Sequence, residues 1–212
     1  MTAPRRPSVN SPRFSWQLKV ELLDVRPTVW RRLIVPERIT LPKLHQAFQE
    51  AFGWTDSHLH EFLINGRRYG MRDVYDDDPP RDERRVALNK ALDYRTRTFD
   101  YIYDFGDNWH HAVTVESDYV NTAPDQPALI VLDGANACPP EDVGGAGGYA
   151  TFLEALADPR HEEHESYLQW VGGPFDPTPV PPPGGEPPAR QDQGLRAPQR
   201  IGVPPAVSWA RG

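Results

Sequence analysis

The stretch Tyr103-Asp-Phe-Gly-Asp-Asn-Trp-His-His111 predicts a hairpin that packs aromatic, acidic and histidine residues into a tight turn. Phe99, Tyr101, Tyr103 and Phe105 alternate along the incoming strand and so share one face. An aromatic face of this kind is typical of a sheet that packs against a helix, and a ligand platform is the alternative. Asp and Asn beside Gly favour the turn itself, because they bond their own backbone and tolerate left-handed geometry.

The register of this hairpin stays open at the level of sequence. An even loop centred on Gly106 and Asp107 puts Asp104 on the face of His111, whereas an odd loop puts it on the face of His110. The register therefore decides which histidine and which carboxylate can act together.

A second stretch, Cys138-Pro-Pro-Glu-Asp142, follows further along the chain. Two prolines stiffen the backbone, so they hold the thiol and both carboxylates in a fixed relation outside regular structure. Glycines 144, 145, 147 and 148 then precede a predicted helix, where backbone N–H groups could approach an anion. The pattern lacks the Lys-Ser/Thr of a P-loop and the spacing of a dinucleotide fingerprint, so phosphate binding is only a weak alternative.

Hydrophobic spacing outward from these two stretches predicts an α+β fold with one domain. Leu44, Ala47, Phe48 and Ala51 form the apolar stripe of one helix, which Thr40, Pro42 and Gly53 delimit, and Asn65-Gly66 is a strong hairpin signal. The predicted strands are 14–23, 28–35, 59–64, 67–69, 84–88, 98–104, 109–116 and 127–132, and the predicted helices are 41–52, one carrying Tyr149 to Leu156, and 161–170.

The two ends of the chain differ in composition from this body. Residues 172–212 are rich in Pro and Gly without apolar periodicity, and residues 1–13 have the same character. Such segments cannot bury enough surface to offset chain entropy, so we expect disorder there and a folded domain at 14–171. The first residues also lack the apolar segment of a secretory signal.

Charge and cysteine usage limit the function classes. The net charge is −7, and the basic ends leave about −11 on the body. That surface opposes a phosphate backbone, so we expect no direct nucleic-acid binding. No apolar run has the length of a membrane span, and the single cysteine, Cys138, fits a reducing cytoplasm.

Four motifs in order resemble the plasmid pRiA4b ORF-3-like family over about residues 16–176. The motifs are Val29-Trp-Arg-Arg32; Phe52-Gly-Trp54 with His58-Leu-His-Glu-Phe62; Tyr103-Asp-Phe-Gly-Asp107 with Trp109 and His110; and Cys138-Pro-Pro-Glu-Asp142 with Gly144, Gly145, Gly148 and Tyr149. The resemblance implies an α+β fold with a curved sheet and no assigned activity. Family members include bacterial insertion-sequence passenger proteins labelled TnpR, although this chain shows no serine-recombinase pattern.

Histidines and carboxylates in these motifs are the candidate ligands of a divalent metal. His58 and His60 lie two apart on a predicted strand, so both imidazoles leave the same face. We predict a metal set of His58, His60, Asp104, Asp107 and His110, with Glu141 and Asp142 as the catalytic carboxylates and Glu141 as the base. The alternative gives these residues turn and packing roles.

Arg31, Trp109, Cys138 and Tyr149 are the candidates for other binding contacts. Arg31 is expected either to point outward from its strand or to pair with Glu141 or Asp142. Cys138 is expected to be a small buried residue, with a thiolate ligand as the alternative.

Two functions from different classes follow. The first is a binding or adaptor module that contacts partner proteins and is associated with plasmids or mobile elements, because no motif completes a known catalytic set. The second is a small metal-dependent hydrolase-like or metal-binding protein. The second requires the His58 imidazole to lie within a few ångströms of at least two other candidate groups.

Overall fold

The computed structural model describes residues 13–71, 78–93, 95–122 and 129–178. The predicted disorder of residues 1–12 and 179–212 lies outside the described residues. Residues 172–178 do belong to the described part, and the Phe175 ring packs 5.1 Å from the Phe152 ring. Chain packing thus continues beyond residue 171, where the predicted body ended.

Within the described residues, eight strands form one mostly antiparallel open sheet, which confirms the predicted α+β class. They are β1 (Arg13–Leu22), β2 (Trp30–Pro36), β3 (His60–Ile64), β4 (Arg67–Gly70), β5 (Arg81–Asp82), β6 (Thr98–Tyr103), β7 (Trp109–Thr122) and β8 (Ile130–Ala135). The spatial order is β5-β4-β3-β6-β7-β1-β2-β8, and among these described strands only β4 and β5 run parallel. Because β3 pairs with β6, the segment that precedes β3 lies beside the turn that follows β6.

Four helices of the described chain accompany the sheet: α1 (Leu41–Phe52), α2 (Leu88–Ala91), α3 (Gly145–Ala157) and α4 (His164–Val171). Helix α1 begins and ends where the sequence predicts, after Thr40 and before a left-handed Gly53. The Thr40 side chain makes no capping hydrogen bond, so its contribution is its extended backbone. None of these helices is both long enough and apolar enough to cross a membrane.

The core lies between α1 and the aromatic face of β3 and β6. The Phe48 ring of α1 meets the Tyr101 ring edge-on at 5.0 Å, and Tyr101 also packs against Phe62 at 4.9 Å. Phe99, Tyr101 and Tyr103 are buried, which confirms the core reading of the aromatic stripe. Phe105 is exposed instead, because the chain leaves the strand at Asp104, whose φ is +57°.

The predicted strand at 84–88 is wrong. This segment makes a single bridge, Thr40 to Ala87, and then turns into α2. The Leu88 N–H donates to the Ile39 carbonyl at 2.8 Å, so the segment is tied to the start of α1 rather than to a neighbouring strand.

Candidate functional site

The hairpin that follows β6 has the odd register. Tyr103 pairs with Trp109, which leaves residues 104–108 as the turn. Asp104 and Asn108 both adopt left-handed backbone, and Asp104 Oδ1 accepts a hydrogen bond from the Gly106 N–H at 2.9 Å. The turn therefore uses one oxygen of Asp104 and leaves the other, Oδ2, to face His58.

The double-proline segment, which runs from Cys138 to Gly145, lies directly against this turn. Asp107 Oδ2 accepts a hydrogen bond from the Gly144 N–H at 3.1 Å, and a Cβ at Gly145 would lie 2.5 Å from the Asp107 carbonyl oxygen. Gly145, with φ of +68°, is thus required by the close approach of the two backbones. Asp142, also left-handed at φ of +60°, lies in the same contact region.

His58 completes a cluster of three groups from three separate segments. Its Nε2 lies 3.1 Å from Asp142 Oδ1 and 3.6 Å from Asp104 Oδ2. One ligand atom from each of the three residues falls within 4.8 Å of the other two. His58 Nε2 is buried and has no hydrogen-bond partner among the described residues, so neither carboxylate is aligned with it as a hydrogen-bond acceptor. The required approach of His58 to two other candidate groups is met.

Several carboxylates lie close to Asp142 and repel its negative charge. Burial raises the pKa of Asp142, the neighbouring His58 lowers it, and the carboxylates of Asp104, Asp107 and Glu141 raise it further. Negative groups have thus been brought together at some cost, which a cation between them would relieve.

Glu141 points away from the cluster into a hydrogen-bonded pocket. Its Oε1 accepts from the Tyr103 hydroxyl at 2.5 Å, and its Oε2 accepts from both the hydroxyl and the N–H of Thr55. Because both oxygens have donors, the geometry assigns Glu141 to holding the site together. The role of Glu141 as a base stays a prediction.

Three of the five predicted ligands lie outside the three-residue cluster. His60 Nε2 contacts both oxygens of Glu83, at 3.0 and 3.2 Å, and His110 Nε2 contacts Asp100 at 3.0 Å. Asp107 lies beside the cluster and accepts a hydrogen bond from the Gly144 N–H. His60 differs from His58 because it lies within β3 and points into the core, whereas His58 precedes the strand.

A buried polar group on α1 was missed at the level of sequence. The His45 ring stacks on the His60 ring, with centroids 3.5 Å apart and planes 5° from parallel. His45 Nδ1 contacts the Tyr101 hydroxyl at 2.7 Å and its Nε2 contacts Asp56 at 2.6 Å. Burial lowers the pKa of His45, with His60 adding to that effect and Asp56 opposing it. The available signal was the position of His45, which follows Leu44 of the apolar stripe and lies three residues before Phe48 of the same stripe.

The four residues expected to make other binding contacts all lie in the interior. Arg31, Trp109 and Tyr149 are at most 2% exposed, and Cys138 is 9% exposed. The Arg31 guanidinium donates to the carbonyls of Ala51, Trp30 and Ala135. Both expectations for Arg31 were therefore wrong, because the side chain is buried rather than outward and its partners are carbonyls rather than Glu141 or Asp142. Burial raises the pKa of the Cys138 thiol, as expected for a small buried residue.

Comparison with known proteins agrees with the motifs. The chain is 46% identical to uncharacterized protein y4hQ of Sinorhizobium fredii (strain NBRC 101917 / NGR234) over 157 residues, 74% of this chain and 80% of that protein. A crystal structure of a protein of unknown function, MM3350 from Methanosarcina mazei Go1, superposes with a TM-score of 0.71 at 34% identity. That match covers 80% of this chain and 96% of the other.

Residues 15–182 match the family model described as plasmid pRiA4b ORF-3-like protein, which spans all four motifs and the whole described sheet from β1 to β8 apart from its first residues. The chain belongs to the plasmid pRiA4b ORF-3-like family.

Proposed function

We propose that this protein binds one divalent metal ion through His58 Nε2, Asp104 Oδ2 and Asp142 Oδ1. The observation that carries the proposal is the buried His58 Nε2, which faces two carboxylate oxygens without a hydrogen bond to either. An imidazole nitrogen with carboxylate oxygens is a donor set that suits Zn²⁺ or Mn²⁺ better than a soft cation.

The spacing of the donor atoms supports this function. Donors about 2.1 Å from one ion in tetrahedral geometry lie about 3.4 Å from each other. The two separations from His58 Nε2, 3.1 and 3.6 Å, bracket that value. Each of the three residues offers a ligand atom within 4.8 Å of the other two.

The same site supports hydrolase-like chemistry. The Asp142 side chain is 50% exposed, so an ion bound beside it would keep a position open to solvent on the Asp142 side. A divalent ion with three protein ligands and an open position lowers the pKa of its bound water and supplies hydroxide near neutral pH. In this arrangement Glu141 holds the surrounding segments rather than taking the proton.

The test is metal content after equilibrium dialysis of chelator-treated protein against Zn²⁺ and, separately, Mn²⁺. We expect one ion per chain in the wild type and substoichiometric metal in His58→Ala. The matched control is His110→Ala, which also removes a partly exposed histidine that contacts an aspartate but should retain the metal. Wild-type protein without stoichiometric metal, or equal loss in both variants, would overturn the proposal.

The second candidate is the binding or adaptor module, associated with plasmids or mobile elements and acting in the cytoplasm. Two large apolar side chains beside the cluster, Leu59 and Phe105, are 49% and 55% exposed, and the Asp104 N–H donates to the Leu59 carbonyl at 2.9 Å. An exposed apolar patch with polar residues at its edge is typical of surfaces that contact partners. A folded, metal-free wild type in the dialysis experiment would favour this function over the first.

A further inference from the structure

Each of the three candidate ligands directly follows a residue of one hydrogen-bonded group. His58 follows Ser57, Asp104 follows Tyr103, and Asp142 follows Glu141. The Tyr103 hydroxyl accepts a hydrogen bond from the Ser57 N–H at 3.0 Å and donates to Glu141 Oε1 at 2.5 Å. One phenol oxygen thus joins the three segments that carry the ligands.

The hydrogen bonds that link Ser57, Tyr103 and Glu141 are called the junction below, and the packing around the Tyr103 ring makes it rigid. Tyr103 is fully buried, and its ring stacks on Trp54 with centroids 5.0 Å apart. Trp54 in turn donates from Nε1 to the Pro139 carbonyl at 3.0 Å, which fastens the double-proline segment to the same ring. Glu141 is 5% exposed and needs its donors, because a buried carboxylate without hydrogen bonds is costly.

The direction of each ligand depends on this junction. Asp104 and Asp142 both have left-handed backbone, so the chain bends sharply between the joined residue and the ligand that follows it. A shift of Tyr103 or Glu141 relative to Ser57 would therefore change the separations among the three donor atoms. In other proteins, groups that hydrogen-bond to metal ligands control metal affinity by fixing their orientation, and here the hydrogen bonds act through the residues adjacent to the ligands.

We infer that Tyr103 is a positioning residue for the metal centre. Its hydroxyl sets the mutual distances of His58, Asp104 and Asp142 through its hydrogen bonds to Ser57 and Glu141. The inference rests on the proposed metal-binding function. It assigns to Tyr103 a role that its burial in the aromatic face would not by itself require.

The experiment compares Tyr103→Phe with Tyr101→Phe. Both changes remove one buried hydroxyl from the same face of β6 and keep the ring. The Tyr101 hydroxyl contacts His45 and Gln49 and has no contact with the ligand segments among the described hydrogen bonds. We expect both variants to lose a similar amount of stability to urea, so stability is matched while the junction is broken in one of them.

Affinity for Zn²⁺ is then measured by competition with a chromophoric chelator. Wild type and Tyr101→Phe should bind with the same affinity, and Tyr103→Phe should bind about 10- to 100-fold more weakly. Wild-type affinity in Tyr103→Phe would overturn the inference while leaving the proposed function intact. Equal weakening in both variants would also overturn it, because the effect would then follow stability. A wild type that binds no metal would overturn the proposed function and this inference together.

Discussion

Replacing His111 with phenylalanine should remove a large part of the acid sensitivity of the folded state. His111 is fully buried on β7, with its ring 5.0 Å from Phe52 and 5.4 Å from Trp54. Its Nδ1–H donates to the Tyr101 carbonyl at 3.2 Å, while its Nε2 is buried and has no partner in the part of the chain that the structure describes. This environment holds a neutral imidazole, and burial lowers the pKa of His111 from 6.5 to about 3.

The sign and size of the effect follow from proton uptake. Below pH 6.5 the unfolded chain binds a proton at His111, whereas the native chain does so only near pH 3. The free energy of unfolding is therefore at its full value above pH 6.5, the pKa of His111 in the unfolded chain, and it falls as the pH is lowered toward the native pKa. Between about pH 8 and about pH 4.5 this single group lowers the free energy of unfolding by about 3 kcal/mol. A loss of that size is a large fraction of the stability of a typical domain.

The assay is urea denaturation of wild type and His111→Phe in the presence of chelator at both pH values. The variant loses the hydrogen bond to Tyr101, which costs about 1 kcal/mol at every pH. Relative to wild type it should therefore gain about 3 kcal/mol on acidification. Val113→Ala, a buried change on the same strand that titrates nothing, should stay below wild type by a constant amount. A constant difference for His111→Phe as well would refute the reasoning.

Two further predictions concern the segments that hold the site. Gly148→Ala should destabilise the protein by about 1–3 kcal/mol in thermal denaturation, because the new Cβ would lie 2.0 Å from the Val143 carbonyl oxygen. Gly147→Ala, in open space on the same helix, should stabilise it slightly, and equal effects of the two changes would contradict the prediction. Trp54→Phe should lower the free energy of unfolding by about 1–3 kcal/mol, since the Pro139 carbonyl loses its buried donor; an unchanged urea midpoint would contradict this.

The sequence is sufficient to predict most of the fold because hydrophobic period and turn chemistry are local. Helix α1 has the predicted bounds, and the Asn65-Gly66 turn joins β3 to β4 as expected. The prediction of a strand at 84–88 was wrong because a strand forms only where a neighbouring strand can pair with it, and the local pattern does not reveal that neighbour. The buried His45 was missed because the periodicity of α1 identifies its buried face but not the polar partners beneath that face.

The site could be predicted only as a set of candidates. His58 and Asp104 were among the predicted ligands and Asp142 was a predicted catalytic carboxylate. The same reasoning included His60 and His110 among the ligands, and these contact Glu83 and Asp100 instead. The local backbone distinguishes the three residues of the cluster from His60 and His110. Asp104 and Asp142 are left-handed, and His58 lies outside β3, and none of these properties follows from alternation along a strand.

Anomalous diffraction from crystals of Zn²⁺-loaded protein tests the central claim most directly. The account predicts one anomalous peak per chain, about 2.0–2.2 Å from His58 Nε2, Asp104 Oδ2 and Asp142 Oδ1. A fully loaded crystal with no peak at these three atoms, or with its peak at His60 or His110, would contradict it.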